Sequence, residues 1–313
     1  MGASLQTQAP VAAVVIVNYF KAARLLDGLQ SLARQGLAPA VATVVVENSV
    51  DAAERRILAD HANDGSFLLI EPATNLGYTK GCNFGVNSLP RTQYVVLCNP
   101  DIIWDQRDTL DRLIGIADAD PSIGVLAPLQ FSDDGTPVET ARSFPTLLEQ
   151  VNRRLRPGSG PKLHIAETLA ENSPEAIEVD WVQSSCVLIR RTLWDTIGGL
   201  DERYFLFMSD VELGRATWAA GLRVCLTSAA RVRADGKRAS AGGFAALLTS
   251  RAQRSHLMDA MKYYFCAGLR RLLRSHRAVP SRSSVKRGGQ ANRAMMSEAF
   301  PGEVSKASDH AAL

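Results

Sequence analysis

Two aspartates that could bind a metal ion or accept a proton, Asp101 and Asp210, lie far apart in the sequence. Asp101 follows the apolar run Tyr94–Cys98 and the turn pair Asn99-Pro100. A carboxylate in such a place can hold a divalent cation against a nucleotide diphosphate, because Mg²⁺ and Mn²⁺ prefer oxygen ligands and take few of them from the protein. Asn-Pro-Asp is also ordinary turn chemistry. The tripeptide alone therefore leaves both interpretations open.

The second aspartate belongs to an acidic cluster, Asp210 and Glu212, that precedes a predicted helix ending at Gly221. A carboxylate kept ionised beside a sugar site can accept the proton of an attacking hydroxyl. Asp210 falls in the first helical turn, where the helix dipole favours its charged form. With Ser209 as N-cap, Glu212 would complete a capping box, which is a structural explanation for that glutamate. We predict Asp210 as a general base, with Glu212 as the second candidate.

These residues need a scaffold, and the first third of the chain predicts one. Short apolar runs alternate with segments of helical spacing, a pattern typical of a parallel, doubly wound α/β sheet. Ligands of such sheets bind beyond the carboxyl ends of the strands. The predicted strands are Val11–Val17, Val41–Val46, Phe67–Ile70 and Tyr94–Cys98, and the site edge is defined by Asn18, Glu47, Asn75 and Asp101.

Two features of this edge are suited to a nucleotide. Glu47 can accept hydrogen bonds from a base or ribose, although a solvated glutamate at a strand end is equally ordinary. The stretch NLGYTKGCNFG contains Gly77, Gly81 and Gly85. Glycines let the backbone approach a phosphate or sugar, and a following helix presents free N–H groups to it. The spacing matches neither a Walker loop nor the dinucleotide fingerprint.

Composition narrows the class of protein. With 313 residues, 46% hydrophobic and 21% charged, the chain can build one large α/β domain or two modest ones. A net charge of +3 does not indicate nucleic-acid binding. Five widely separated cysteines favour reduced core thiols over a disulfide framework or zinc site. No signal peptide or membrane-spanning run is evident, so we expect a cytoplasmic protein.

An ordered series of six segments resembles the family 2 glycosyltransferases of GT-A fold, and most closely their bacterial rhamnosyltransferase-like branch. The segments are VVIVNY, VVVENS, NLGYTKGCNFGVN, YVVLCNPD, DWVQSSCVLIRR and GGLDERYFLFMSDVELGRATWAAGLRV. The resemblance spans roughly Val11 to Ser240. It implies inverting transfer of a sugar, with rhamnose as a candidate, from a nucleotide-diphosphate donor. The acceptor would be a hydroxyl of a saccharide or polyprenyl-diphosphate-linked saccharide in cell-surface polysaccharide synthesis.

The resemblance also implies roles for individual residues. Asp101 matches the last acid of the family's metal motif, and Asp210 matches the second acid of the pair that supplies the base. The family's nucleotide-binding loops match Asn18, Glu47 and Asn48, and its Gly-rich donor loop matches Asn75, Gly77 and Asn83. Asn99 is predicted as a further donor-binding residue.

Departures from the family pattern leave metal dependence open. Ser209 stands where the family usually has an acid, and Arg233 replaces a histidine that would be a candidate metal ligand for Mg²⁺ or Mn²⁺. An arginine cannot bind a cation, but its guanidinium pairs with phosphate oxygens. Arg233 is therefore a candidate donor-binding residue, and the alternative is that it is a basic residue exposed to solvent. Ser209 and Arg233 also suit a catalytically impaired binding module. A nucleotidyltransferase would need a basic Gly-rich signature after the first strand, where Asn18-Tyr19-Phe20 stands.

The predicted domain organisation is a glycosyltransferase domain over residues 1–240, with a nucleotide-binding half at 11–130 and an acceptor half at 131–240. Residues 241–313 are predicted as a basic amphipathic helical region and a disordered tail. Its apolar stripe comprises Leu257, Met261, Tyr264, Gly268 and Leu272. Such a helix packs on the domain or lies on an anionic membrane surface, where a polyprenyl-linked acceptor would be found. Packing on the domain is the favoured alternative for the stripe, and the basic end leaves peripheral contact with the inner face of the cytoplasmic membrane open as the second.

Overall fold

The predicted apolar runs form the parallel half of a central sheet. The computed structural model describes residues 9–144, 176–236 and 258–265. Its first four strands are β1 (Ala12–Asn18), β2 (Val41–Glu47), β3 (Leu68–Ile70) and β4 (Tyr94–Cys98), in the spatial order β3-β2-β1-β4. Every residue of β1 and β4 is buried. Strands buried on both faces can be apolar throughout, which explains why these runs lack alternation.

Helices cover both faces of this sheet. One face packs against α1 (Ala22–Leu32), α2 (Ala52–Ala62) and α4 (Thr109–Ala119). The other face packs against α3 (Gly77–Asn87), α5 (Arg191–Ile197) and α6 (Ser209–Ala219). Asp51 caps α2 by accepting hydrogen bonds from the backbone N–H groups of Ala53 and Glu54. The predicted α/β class is confirmed.

The second half of the sheet is mixed. It contains β5 (Ile103–Trp104), β6 (Ile123–Ser132), β11 (Cys186–Arg190) and β12 (Arg223–Ala234), and the order continues β4-β11-β6-β12-β5. Two short strands join this sheet, β7 (Pro137–Val138) on β6 and β9 (Ile177–Glu178) on β12, while β8 (Ala141–Arg142) pairs with β10 (Trp181–Val182) separately. The motif DWVQSSCVLIRR, residues 180–191, contains two strands, because a turn separates β10 from β11.

The antiparallel strand β11 matters most for the site. Cys186 is paired with Cys98 and Arg190 with Tyr94, so β11 begins where β4 ends. The turn before β11 therefore lies at the carboxyl edge of the parallel strands. A parallel neighbour would have placed that turn at the opposite edge.

Residues 258–265 form a helix, α7, that packs against the segment leading into α6. Its buried side chains are Asp259, Ala260 and Tyr263, and they contact the cluster containing Tyr204. Of the predicted apolar stripe, Tyr264 packs against this cluster, whereas Met261 is 64% exposed. All described residues belong to the compact unit that extends to Gly268, so α7 lies inside it although the predicted domain boundary is at residue 240.

Four cysteines are buried and free, which agrees with the predicted reduced core thiols: Cys82, Cys98, Cys186 and Cys225. The predicted basic region and disordered tail from residue 266 onward lie outside the described residues. None of the helices in the described part of the chain has the length and apolar character needed to cross a membrane.

Candidate active site

Polar side chains meet at the ends of β1 and β2, where the sheet edge was predicted to bind a nucleotide. The Asn18 amide donates to Glu47 Oε2 at 2.5 Å and to Glu54 Oε2 at 2.8 Å. Glu47 Oε1 accepts the backbone N–H of Ser49 at 2.7 Å, and the side chain is fully buried. Both oxygens of Glu47 are therefore used inside the protein, and its contact with a base stays a prediction.

Two exposed aromatic rings stand beside Asn18. Tyr19 and Phe20 are 52% and 54% exposed, and their ring centroids lie 4.8 Å apart. Phe20 has a positive φ of 54°, and its backbone N–H donates to Ser49 Oγ at 2.8 Å. These rings were not predicted as site residues from the sequence, and they offer flat apolar surfaces at the nucleotide-binding edge.

Asn48 connects the end of β2 to the donor loop. Its amide donates to Asn75 Oδ1 at 3.0 Å and to the carbonyl of Gly77 at 3.1 Å, and its oxygen accepts the N–H of Leu76 at 2.7 Å. Asn75 Oδ1 also accepts the N–H of Gly77 at 2.8 Å. These bonds hold the start of α3 at the edge where the predicted parallel sheet would place it.

Gly77 is required by its surroundings. Its φ is +79°, and a Cβ there would lie 2.6 Å from the carbonyl oxygen of Phe205. The next residue, Tyr78, donates its N–H to that same carbonyl at 2.7 Å. The donor loop thus packs directly on the segment that precedes α6.

Asn83, predicted with the donor loop, lies further along α3. Its amide donates to the carbonyl of Leu200 at 2.9 Å and to Glu202 Oε1 at 3.1 Å, and its oxygen accepts the N–H of Leu200 at 2.9 Å. These contacts fix the chain after α5. A contact of Asn83 with the donor stays a prediction.

Asp101 lies at the end of β4 beside a lysine and a second aspartate. Lys21 Nζ is 2.8 Å from Asp101 Oδ2 and 2.7 Å from Asp235 Oδ2. Burial raises the pKa of Asp101; hydrogen bonding to Asp235 raises it further, and Lys21 opposes both effects. Burial opposes ionisation of Lys21, but its two carboxylate partners raise its pKa above the usual value, so it carries a positive charge.

The donor set around Asp101 fits a divalent cation only with help from a ligand. The described residues contain no group of three or more His, Cys, Asp and Glu side chains arranged for a metal. Asp101 and Asp235 supply two carboxylates, and Mg²⁺ is often bound by one or two carboxylates together with substrate phosphates. The pair therefore fits a cation that arrives with a diphosphate.

Arg233, at the family's histidine position, turns to a different partner. Its Nε lies 2.7 Å from Asp105 Oδ1, and the arginine side chain is 39% exposed. Asp105 follows β5, which pairs with β12 through Arg233 and Ile103. Binding of phosphate by Arg233 stays a prediction.

Asn99 links the region around Asp101 to the region around Asp210. Its N–H donates to the carbonyl of Ser185 at 2.7 Å, which links the end of β4 to the start of β11. The neighbouring Ser184 donates its hydroxyl to Asp210 Oδ1 at 2.5 Å. Asp101 and Asp210 thus lie at the same edge of the sheet, connected through the pair Ser184–Ser185.

Asp210 has an unusual electrostatic environment. Burial raises its pKa to about 6, while the hydrogen bond from Ser184 opposes that rise. Tyr78 donates its hydroxyl to the Ser184 carbonyl at 2.9 Å, which connects the start of α3 to the same serine. A carboxylate with such a pKa is ionised at neutral pH and is a stronger proton acceptor than an ordinary aspartate.

The capping box predicted for Ser209 and Glu212 is wrong. Met208 occupies the N-cap position with a positive φ of 66°, and no side chain caps the helix. Ser209 is therefore the first residue of α6. The N–H of Glu212 donates instead to the carbonyl of Met208 at 3.0 Å.

A buried carboxylate from α7 holds the segment before Met208. Asp259, 1% exposed, accepts the N–H groups of three consecutive residues at 3.0 to 3.2 Å: Phe205, Leu206 and Phe207. Successive backbone N–H groups of this kind form an anion-binding nest. The sequence placed Asp259 in a region assigned outside the domain, so its contact was missed.

Lys21, Asp235 and Ser184 were also missed as site residues. Lys21 follows Asn18 by three residues and Asp235 follows Arg233 by two, so each stood beside a residue that had been singled out. The position of Lys21 and Asp235 just after strand ends was the signal in the sequence that could have identified them.

Comparison with known proteins identifies relatives of this architecture. The model of a family described as glycosyltransferase like family 2 matches residues 9–254. A curated relative, the N-acetylglucosaminyl-diphospho-decaprenol L-rhamnosyltransferase of Mycobacterium tuberculosis, is 28% identical over 220 residues, 66% of this chain and 70% of the relative. The low-salt glycan biosynthesis hexosyltransferase Agl10 of Haloferax volcanii is 26% identical over 212 residues, 66% of this chain and 61% of the relative.

A solved structure shares the fold. The mannosyltransferase of Pyrobaculum calidifontis, in complex with GDP-Man and Mn²⁺, superposes with a TM-score of 0.56 at 17% identity and covers 88% of this chain and 67% of its own. The fold of the chain is the GT-A glycosyltransferase fold, as the sequence motifs predicted. The nucleotidyltransferase alternative is not favoured by these matches.

Proposed function

The chain belongs to the glycosyltransferase like family 2, and from that premise we propose that it transfers a sugar from a nucleotide-diphosphate donor, with inversion, to a hydroxyl of a lipid-linked saccharide. Rhamnose is the first candidate for the sugar, since a relative matched over most of the chain is named N-acetylglucosaminyl-diphospho-decaprenol L-rhamnosyltransferase. Cell-surface polysaccharide synthesis is the process that such an acceptor serves.

One observation carries the proposal: Asp101 and Asp210 lie at the same strand-end edge, joined through Ser184–Ser185. Single displacement needs a proton acceptor on one side of the sugar carbon and positive charge near the leaving group on the other. Asp210 supplies the acceptor. Lys21, which lies 2.8 Å from Asp101, supplies the positive charge that stabilises the negative charge developing on the leaving diphosphate.

The donor would be held by groups along the edge. The exposed rings of Tyr19 and Phe20 offer stacking surfaces for a base, because aromatic side chains stack on the faces of bases of any kind. The start of α3 is fixed at this edge by Asn48 and Asn75, where the helix dipole favours a bound phosphate. A divalent cation, when bound with the donor by Asp101 and Asp235, would neutralise diphosphate charge.

In the transfer step the acceptor hydroxyl gives its proton to Asp210 as its oxygen attacks the anomeric carbon. The bond to the donor diphosphate breaks on the opposite face, and the diphosphate leaves with the electron pair. The raised pKa of Asp210, about 6, favours proton acceptance while keeping the group ionised at neutral pH. Proton transfer to a positioned base typically contributes about 10²–10⁴-fold.

The test is a donor screen with the full chain. Release of nucleotide diphosphate is measured from dTDP-, UDP- and GDP-sugars with polyprenyl-diphosphate-linked N-acetylglucosamine as acceptor, with and without chelator. We expect Asp210→Asn to lower kcat by about 10²–10⁴-fold with little change in donor binding. Glu212→Gln is the matched control on the same helix. Equal losses in both variants, or no acceptor-dependent release from any donor, would contradict the proposal.

A further inference from the structure

Lys21 occupies the point where two acidic side chains converge. Its Nζ is 2.8 Å from Asp101 Oδ2 and 2.7 Å from Asp235 Oδ2, so one oxygen from each carboxylate contacts a single positive charge. Lys21 follows β1, Asp101 follows β4 and Asp235 follows β12, three strands that end at this edge. The convergence therefore depends on the folded sheet.

All three side chains are largely buried. The exposed fractions are 26% for Lys21, 11% for Asp101 and 16% for Asp235. Two carboxylates this close and this poorly solvated repel each other unless a cation lies between them. Lys21 supplies that cation from within the chain.

We propose that Lys21 is a tethered cation that competes with a divalent metal ion for the oxygens of Asp101 and Asp235 until nucleotide diphosphate brings the metal. This inference rests on the proposed function for its biological use. Asp235 supplies the second carboxylate, while Arg233, two positions earlier, is paired with Asp105.

Competition between the Lys21 ammonium and a divalent cation has a measurable consequence. An ammonium held on a short tether acts at a high effective concentration, so the free protein binds a divalent cation weakly. Diphosphate oxygens add ligands to the metal and accept the displaced ammonium, so the nucleotide and the metal strengthen each other's binding. When displaced, Lys21 remains close enough to pair with the diphosphate.

The experiment measures Mn²⁺ binding by electron paramagnetic resonance in the full chain, with no sugar donor present. Breaking two partly exposed ion pairs predicts that Lys21→Met binds Mn²⁺ about tenfold more tightly than the unmodified chain. Adding UDP or dTDP should then tighten Mn²⁺ binding less in Lys21→Met than in the unmodified chain. Thermal unfolding gives a second readout, since Mn²⁺ alone should stabilise Lys21→Met and have little effect on the unmodified chain.

Two further variants separate this inference from a general charge effect. Arg24→Met removes an equal charge from the neighbouring helix α1, where the Arg24 guanidinium contacts the backbone carbonyl of Asp101 at 3.3 Å but neither ligand oxygen. It should leave Mn²⁺ affinity nearly unchanged. Adding Asp235→Asn to Lys21→Met should abolish the gain. Equal tightening in Arg24→Met, or none in Lys21→Met, would overturn the inference.

Failure here is distinguishable from failure of the proposed function, because metal binding is measured without sugar transfer. Active enzyme with unchanged Mn²⁺ affinity in Lys21→Met would refute only the competition. Tight Mn²⁺ binding in Lys21→Met, together with no turnover of any donor by the unmodified chain, would refute only the transferase activity.

Discussion

The hydrogen bond from Ser184 to Asp210 controls the pH at which the proposed base works. The Ser184 hydroxyl donates to Asp210 Oδ1 at 2.5 Å, and Ser184 is buried. Burial raises the pKa of Asp210 to about 6, and this bond limits the rise because it stabilises the ionised carboxylate. Ser184→Ala removes that stabilisation. The pKa of Asp210 should therefore rise further.

The size of the shift follows from the strength of the bond. A hydrogen bond to a charged group contributes about 1.5–3 kcal/mol, and one pKa unit corresponds to about 1.4 kcal/mol. We expect an increase of about one to two units. Because only the ionised base is active, the rate falls as the pH drops through the pKa. The acid limb of kcat/KM should move from about 6 in the unmodified chain to about 7–8 in the variant.

The assay is the pH dependence of nucleotide-diphosphate release at limiting donor. Ser184→Ala should lose about tenfold or more near pH 6 and approach the unmodified rate near pH 9. Ser185→Ala is the matched control, since the Ser185 hydroxyl donates to Gln130 Oε1 at 2.6 Å and not to Asp210. An acid limb that stays in place in Ser184→Ala, or moves equally in both variants, would refute the assignment of Asp210 as the base.

Three further predictions concern stability and the geometry of the site. Burial raises the folded-state pKa of Asp210 to about 6 from its ordinary value of 3.8, so stability is lost as the pH rises through that interval; Asp210→Asn should therefore raise the free energy of unfolding at pH 8 by up to about 3 kcal/mol and not at pH 4, as measured by urea denaturation. Asp259→Ala should destabilise the chain by roughly 2–4 kcal/mol and lower kcat, with partial recovery of kcat in added formate; a kcat that formate does not change would contradict the nest. Gly77→Ala, at φ +79° and 2.6 Å from the carbonyl of Phe205, should abolish donor binding and lower Tm, whereas Gly65→Ala at φ +77° with open space should cost only about 1–2 kcal/mol; equal effects on Tm would show that strain alone acts.

The local sequence pattern was sufficient to predict the strands of the parallel half of the sheet. The strand Tyr94–Cys98 has the predicted bounds, because an apolar run closed by Asn99-Pro100 has no helical alternative of that length. The capping box failed because a buried Met208 took a left-handed conformation, and nothing in the side-chain types of Ser209 and Glu212 shows that constraint.

The sequence by itself determined the α/β scaffold, the edge at which the strands end and the two aspartates Asp101 and Asp210, since these depend on periodicity and on an ordered set of motifs. Only the tertiary structure decided their partners. Lys21 and Asp235 meet at Asp101, and Ser184 reaches Asp210 because β11 runs antiparallel to β4. Strand order and direction set which distant side chains become neighbours, and local pattern does not encode them.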